Sequence, residues 1–155
     1  MMRSPAEAAP EPHPAARSLS VVVSSVASDS HTWNLVYLQL AIEELGHRVH
    51  NLGACVPDGL LVAECLRIRP ELVVISTVNG HGAHDGARLI ARLRGRPELA
   101  RTPVVIGGML GIAGPGGRRR LTWLREAGFD GVFEADAGMA AFQSYTAQLS
   151  AGAGR

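Results

Sequence analysis

The chain contains no lysine: all 15 of its Lys+Arg residues are arginine. Schiff-base catalysis, a Walker-A phosphate loop and every other lysine-dependent site are thereby excluded. Cysteine is nearly as scarce. Cys55 and Cys65 are the only two in 155 residues, which makes no disulfide framework and reads as a pair of reduced thiols in a cytosolic protein. Charge of one sign is also missing. A net charge of +1 gives no ground for nucleic acid or an anionic membrane as partner. No apolar run approaches the roughly 20 residues that a transmembrane helix needs. What is present is ordinary: 46% hydrophobic and 19% charged residues, enough to bury the core of one domain.

Residues 1–18 are rich in alanine and proline, without apolar periodicity, and read as a disordered tail. They lack the basic start and long apolar stretch of a signal peptide. Residues 151–155 read as a frayed end, which leaves 19–150 as one domain without internal repeats. Inside it, strand and helix alternate five times. Strands are expected at Ser20–Ser25, His47–Leu52, Leu72–Ser76, Pro103–Ile106 and Gly131–Phe133. Helices are expected at Thr32–Leu45, Pro57–Arg67, His84–Leu93, Gly117–Ala127 and Ala137–Leu149. The first helix carries the apolar spacing Leu35, Leu38, Ile42, Leu45 and stops before Gly46. The first, third and fourth strands are almost wholly apolar, as parallel strands buried on both faces are. The pattern predicts an α/β, doubly wound, five-stranded parallel sheet with strand order 2-1-3-4-5. Ligands of such sheets bind beyond the carboxyl ends of the strands, where the order reverses between the first and third.

Three segments should meet at that edge: Ser28-Asp29-Ser30-His31-Thr32 after the first strand, Ser76-Thr77-Val78-Asn79-Gly80-His81 at the end of the third, and Gly107-Gly108-Met109-Leu110-Gly111 after the fourth. Asp29 and His31 stand two residues apart. At that spacing a carboxylate reaches the near ring nitrogen, fixes the tautomer and leaves the other nitrogen as a base or metal ligand. One histidine with one aspartate is too few for zinc, but it suffices for one axial position of a metal held by a macrocycle. Taken alone, the pair reads more simply as an aspartate capping the next helix beside a surface histidine. Gly107-Gly108 alone marks a close backbone approach or a tight turn, and Ser76 alone could satisfy nearby backbone.

Together these stretches resemble the cobalamin-binding domain, whose signature is Asp-x-His-x-x-Gly, then Ser-x-Leu, then Gly-Gly. Here they read Asp29-Ser-His31-Thr-Trp-Asn34, Ser76-Thr-Val78 and Gly107-Gly108. Within that group the chain is most similar to the small subunit of glutamate mutase (methylaspartate mutase). That likeness is carried also by Asn51-Leu-Gly53, Asn79-Gly80-His-Gly82-Ala-His-Asp85 and Ala127-Gly128-Phe129-Asp130, and spans Ser20 to Leu149. The resemblance implies a flavodoxin-like fold and a bound adenosylcobalamin whose own base is displaced from cobalt by His31, with Asp29 behind it. It implies a slot for the displaced nucleotide tail between sheet and helices. Ser76 would hydrogen-bond the buried base, Gly107 and Gly108 would make room, Met109, Leu110 and Gly111 would line the exit, and Ser28 to Thr32 with Thr77 and Val78 would complete the wall. It implies a carbon-skeleton isomerase of the glutamate to 3-methylaspartate type, cytoplasmic, inactive alone. Its substrate would lie in a separate barrel-shaped large subunit, in a heterotetramer of two small and two large chains. Two positions depart from the signature. Asn34 stands where it has glycine, which would obstruct a tail lying there or cap a helix starting at Leu35; Val78 stands where it has leucine.

Other readings are a corrinoid methyl carrier, a cobalamin-dependent regulator, and a degenerate relative kept as an interaction module. The methyl-carrier class has a helical bundle ahead of this domain, where only the Ala/Pro tail stands here; a regulator lacks its DNA-binding helix. A receiver-type signalling domain of the same fold needs an aspartate ending the third strand and a lysine after the fifth. A divalent-metal site from His81, His84, Asp85 and His31 has workable spacing. Cys55, near the edge, is read as a half-buried thiol without function. Arg118, Arg119 and Arg120 are read as a solvated helix face.

Overall fold

The computed structural model describes residues 17–78, 82–108, 110, 116–134 and 138–152. The expectations placed on residues before Arg17, on Asn79, Gly80 and His81, on Met109 and Gly111, and on 153–155 fall outside them. In chain order the elements are β1 (Ser20–Ser25), α1 (Trp33–Glu44), β2 (Arg48–Asn51), α2 (Asp58–Ile68), β3 (Leu72–Thr77) and α3 (Gly82–Arg94). A short 3-10 turn at Pro97–Leu99 leads to β4 (Val104–Gly108), α4 (Gly117–Ala127), β5 (Gly131–Glu134) and α5 (Gly138–Ala151). All strand pairs are parallel and the order is β2-β1-β3-β4-β5, the doubly wound arrangement expected from the alternation.

Successive strand residues point to opposite faces. Val22, Val73, Ile75, Val104, Ile106 and Val132 pack on one face with Leu61 and Cys65 of α2, Leu89 and Ile90 of α3 and Leu124 of α4. Val21, Val23, Leu72, Val74 and Val105 pack on the other with Leu35 and Ile42 of α1 and Phe142 of α5. Both faces are covered, which is why residues 21–23 of β1 and 72–75 of β3 are unbroken apolar runs. Each fully buried side chain such as Leu61 or Ile75 contributes about 1.5–3 kcal/mol of transfer free energy.

Four differences from the sequence expectation bear on the site. β4 runs through Gly107 and Gly108 rather than stopping at Ile106. The pairings Ser76↔Gly107, Thr77↔Gly108, Gly107↔Phe133 and Gly108↔Glu134 override the weak strand preference of glycine. α1 starts at Trp33 with Thr32 as its N-cap residue, so Asn34 lies in the first turn and caps nothing. α5 continues past Leu149 to Ala151, and the Ser150 hydroxyl donates to the Arg17 carbonyl. Of the apolar spacing in α1, Leu35 and Ile42 are buried, Leu38 is partly so and Leu45 is exposed. The outer side of α1 is apolar as well: Trp33 (84% exposed), Val36, Tyr37 and Leu40 fall at i, i+3, i+4 and i+7, one stripe along the helix.

Candidate functional site

β1 ends at Ser25 and the chain turns at once, the Asp29 amide donating to the Val26 carbonyl at 3.0 Å. The Asp29 carbonyl is then pinned from two sides. It accepts from the Ser25 hydroxyl at 3.0 Å and from the Cys55 amide at 2.9 Å. The Cys55 thiol lies against the same oxygen, at 3.4 Å. Cys55 is exposed rather than half-buried; its role here is to hold the β1–α1 loop.

The Asp29 side chain is only 2% exposed and accepts three hydrogen bonds. Oδ1 takes the His31 amide at 2.9 Å and His31 Nδ1 at 2.8 Å; Oδ2 takes the Val78 amide at 2.7 Å. Burial pushes this carboxyl up, but the amides of His31 and Val78 and the His31 ring outweigh it, so its pKa lies below the ordinary aspartate value. A carboxylate facing Nδ1 fixes the proton on that nitrogen, leaving the lone pair on Nε2. The His31 side chain is 60% exposed. Among the described residues nothing else bonds its ring. The pair is therefore not a helix cap. The site holds an oriented, accessible imidazole base at the carboxyl edge between β1 and β3.

Beside it, between the sheet and the α1/α5 layer, is a cavity of about 190 Å³. Its floor and walls are Leu38, Val74, Val105, Phe133, Met139 and Phe142, with Ser76, Asn34, Tyr37 and Glu134 as the polar side chains. The parallel register explains the opening: Ser76, Gly107 and Phe133 are successive partners across β3, β4 and β5, and the middle one has no side chain. Gly107 is also constrained by its neighbour, since a Cβ there would lie 3.1 Å from the Phe133 carbonyl oxygen. Gly108 has φ +117°, and a Cβ would sit 1.9 Å from the Thr77 carbonyl oxygen. That glycine is required by the sheet itself, whatever binds nearby.

The structure thus brings together Asp29, His31 and Val78 in one cluster and Ser76, Gly107 and Gly108 in the adjoining cavity. Ser30 and Thr32 are exposed on the same loop. Ser28 reaches away from the cavity and donates to Asp85, which with Asp58 also holds Arg88. Thr77 and Leu110 are not in the cavity. Leu110 is buried in the core of the α2–α4 layer, and its carbonyl accepts from Arg120. Thr77 is fully buried beside Gly82, and its hydroxyl has no hydrogen-bond partner among the described residues. Sequence reasoning missed the far wall of the cavity: Tyr37 and Leu38 on α1, Phe133 and Glu134 on β5, and Met139 and Phe142 on α5. The available signal was the helical spacing Asn34, Tyr37, Leu38 and Met139, Phe142. Of the alternative metal site, His81 lies outside the described residues, and among those described no cluster of three His, Cys, Asp or Glu could hold an ion. His84 instead packs on Trp123, with ring centroids 5.2 Å apart.

The B12 binding domain model matches residues 19–142. The chain belongs to the B12-binding domain family. A glutamate mutase sigma subunit of Halobacterium salinarum is 31% identical over 122 residues, covering 79% of this chain and 80% of that one. A cobalamin-binding protein of Desulfitobacterium hafniense DCB-2 superposes with a TM-score of 0.64 at 21% identity, covering 84% of this chain and 59% of that one. The receiver domain of a histidine kinase from Syntrophus aciditrophicus gives the same TM-score of 0.64 at 18% identity, over 89% and 94% of the two chains. Both structural likenesses show the fold alone. The receiver reading fails on residues, since β3 ends in Ser76-Thr77 and the chain has no lysine.

The residues present fit what a B12-binding domain must hold. An imidazole whose lone pair is presented outward, as Asp29 presents that of His31, can ligate cobalt. Beside it the sheet opens a cavity with largely apolar walls at Gly107. No helix among the described residues is long and apolar enough to cross a membrane.

Proposed function

We propose that this chain is the cobalamin-carrying small subunit of an adenosylcobalamin-dependent carbon-skeleton mutase of the glutamate to 3-methylaspartate type. The observation that carries the reading is the Asp29–His31 pair, with a 2.8 Å bond on Nδ1 and an accessible Nε2. When bound, the cofactor supplies homolytic radical chemistry at its cobalt–carbon bond. His31 would ligate the cobalt and Asp29 would fix that imidazole's tautomer and orientation. Ser76 would meet the heteroatom of the displaced base, while Leu38, Val74, Val105 and Phe142 exclude water from its faces. Ser28, Ser30, Thr32 and Val78 would border the corrin on the β1 and β3 side.

The substrate would lie in a separate large catalytic subunit, a reading supported by relatives named as sigma subunits. The apolar stripe Trp33, Val36, Tyr37, Leu40 starts two residues after His31 and would lie under that subunit, in a cytoplasmic heterotetramer. Relatives named as glutamate mutase sigma subunits support this assignment over a methyl carrier or an interaction module. The test is the visible spectrum of purified protein mixed in the dark with adenosylcobalamin and desalted. Retained corrin with a histidine-ligated spectrum, lost in His31→Ala with the fold intact, is the expected result. Retained corrin whose spectrum is the same in His31→Ala would overturn the ligand assignment. No retention even with a candidate large subunit present would favour the degenerate interaction module.

A further inference from the structure

Asn34 occupies an unusual position. It is half-buried in the first turn of α1 and lines the cavity across from the floor strands that carry Ser76 and Gly107. Its side-chain amide makes no hydrogen bond within the described residues. An amide has two donors and an acceptor, and none of the three is taken up by a described protein group, so all are open to whatever enters the cavity. Nothing in the fold needs it. Thr32 is the N-cap residue, and Leu35 and Ile42 anchor the helix. Leu38, Val74, Val105 and Phe142 give the cavity apolar walls, and Ser76, Tyr37 and Glu134 are its other polar side chains. A nucleotide tail has the same two kinds of surface, an apolar base attached to a hydroxyl- and phosphate-bearing linker.

We propose that Asn34 is a recognition residue for the sugar–phosphate linker of the corrinoid's nucleotide tail, and not an obstruction to it. The proposal rests on the cobalamin reading above and adds a residue to it. The amide donates to a linker oxygen, so its contribution depends on the tail being present and is absent for a corrinoid that has none.

The experiment compares adenosylcobalamin with adenosylcobinamide, which has the same corrin and upper ligand but no nucleotide. Both are titrated by visible absorption into wild type, Asn34→Leu and Asn34→Gly. Asn34→Leu keeps the bulk and removes the hydrogen bond; Asn34→Gly removes both. Loss of one hydrogen bond to a polar or charged acceptor predicts that each variant binds adenosylcobalamin about tenfold more weakly. Adenosylcobinamide affinity stays unchanged in both, because its contacts run through His31 and the corrin edge. Tighter adenosylcobalamin binding by Asn34→Gly would show obstruction and overturn the proposal, as would an unchanged cobalamin-to-cobinamide ratio in Asn34→Leu. Failure of the wild type to bind either corrinoid, even with a candidate large subunit present, would overturn the cobalamin reading itself, a separate outcome. Circular dichroism melting of each variant separates a folding defect from a binding one.

Discussion

Replacing Asp29 with asparagine keeps the shape of the side chain and changes only charge and one donor–acceptor role. In the native site Oδ1 serves both His31 donors and Oδ2 serves the Val78 amide. The asparagine amide would best keep its oxygen toward His31, where two bonds are at stake. Its NH₂ group then faces the Val78 N–H, donor against donor, in a position 2% exposed. A buried donor left without its acceptor costs about 1–3 kcal/mol, and the two surviving bonds lose their charge assistance, about 1 kcal/mol more. The expected total is roughly 2–4 kcal/mol, which lowers the melting temperature by about 6–12 °C in a chain of this size. The pH dependence has a definite sign. The folded carboxyl titrates below its ordinary value, so its contribution is fully present above the unfolded pKa of about 3.9 and lost as pH falls through the folded value. The gap between wild type and Asp29→Asn should therefore close in strong acid. Corrin affinity should fall by about 10–100-fold, the usual effect of losing the group behind a metal-ligating imidazole. The assay is thermal unfolding by circular dichroism at neutral and acid pH, with a corrin titration alongside. A melting temperature within a degree or two of wild type, or a gap that persists unchanged in acid, would refute the reasoning.

Three further outcomes follow from buried groups elsewhere. His47 is buried and accepts the Leu19 amide at Nδ1; burial lowers its pKa against the opposing pull of Glu71. Below an unfolded value of about 6.5 the unfolded chain takes up a proton that the folded one refuses. Chemical denaturation should then show stability falling with acidity more steeply in wild type than in His47→Leu, and parallel slopes would contradict this. The Cys65 thiol is pushed up to about 12 by burial, with Glu64 adding to it, whereas Cys55 is exposed. A thiol reagent at neutral pH should label Cys55 alone and reach Cys65 only in denaturant; rapid labelling of both would falsify the packing of α2. Gly108→Ala adds a side chain at φ +117° against the Thr77 carbonyl and should cost about 2–4 kcal/mol in urea unfolding, with no corrin present. A neutral effect would place the β3–β4 pairing elsewhere.

Much of this was legible in the residues. The apolar runs of β1 and β3 announced strands covered on both faces, and the alternation with helices announced the strand order. Asp29 and His31, two residues apart, are within local reach of each other, but the spacing alone reads more simply as a helix cap and only the wider signature favours the pair. What could not be read was set by tertiary contact. Gly107 and Gly108 have poor strand propensity and join β4 only because β3 and β5 offer partners on both sides. Phe133, Met139 and Phe142 reach the cavity from β5 and α5, far along the chain from Ser76 and from Asn34 on α1, which no local pattern encodes. In α1 the spacing of Leu35 and Ile42 marks the buried face, but Trp33, Val36, Tyr37 and Leu40 repeat the same period on the outside. Periodicity alone could not say which stripe the sheet would cover. Thr77, one residue from Ser76, faces the opposite layer, as the twofold alternation of a strand demands.

The central claim is that His31 ligates the cobalt of a bound corrin whose own base has moved away. Electron paramagnetic resonance of the Co(II) corrin bound to protein grown on nitrogen-15 tests it most directly, since the axial nitrogen splits each cobalt line. A protein imidazole in that position gives doublets from the labelled nitrogen, and this is the result expected. Triplets, from the unlabelled nitrogen of the cofactor's own base, would contradict the assignment of His31 and the function built on it.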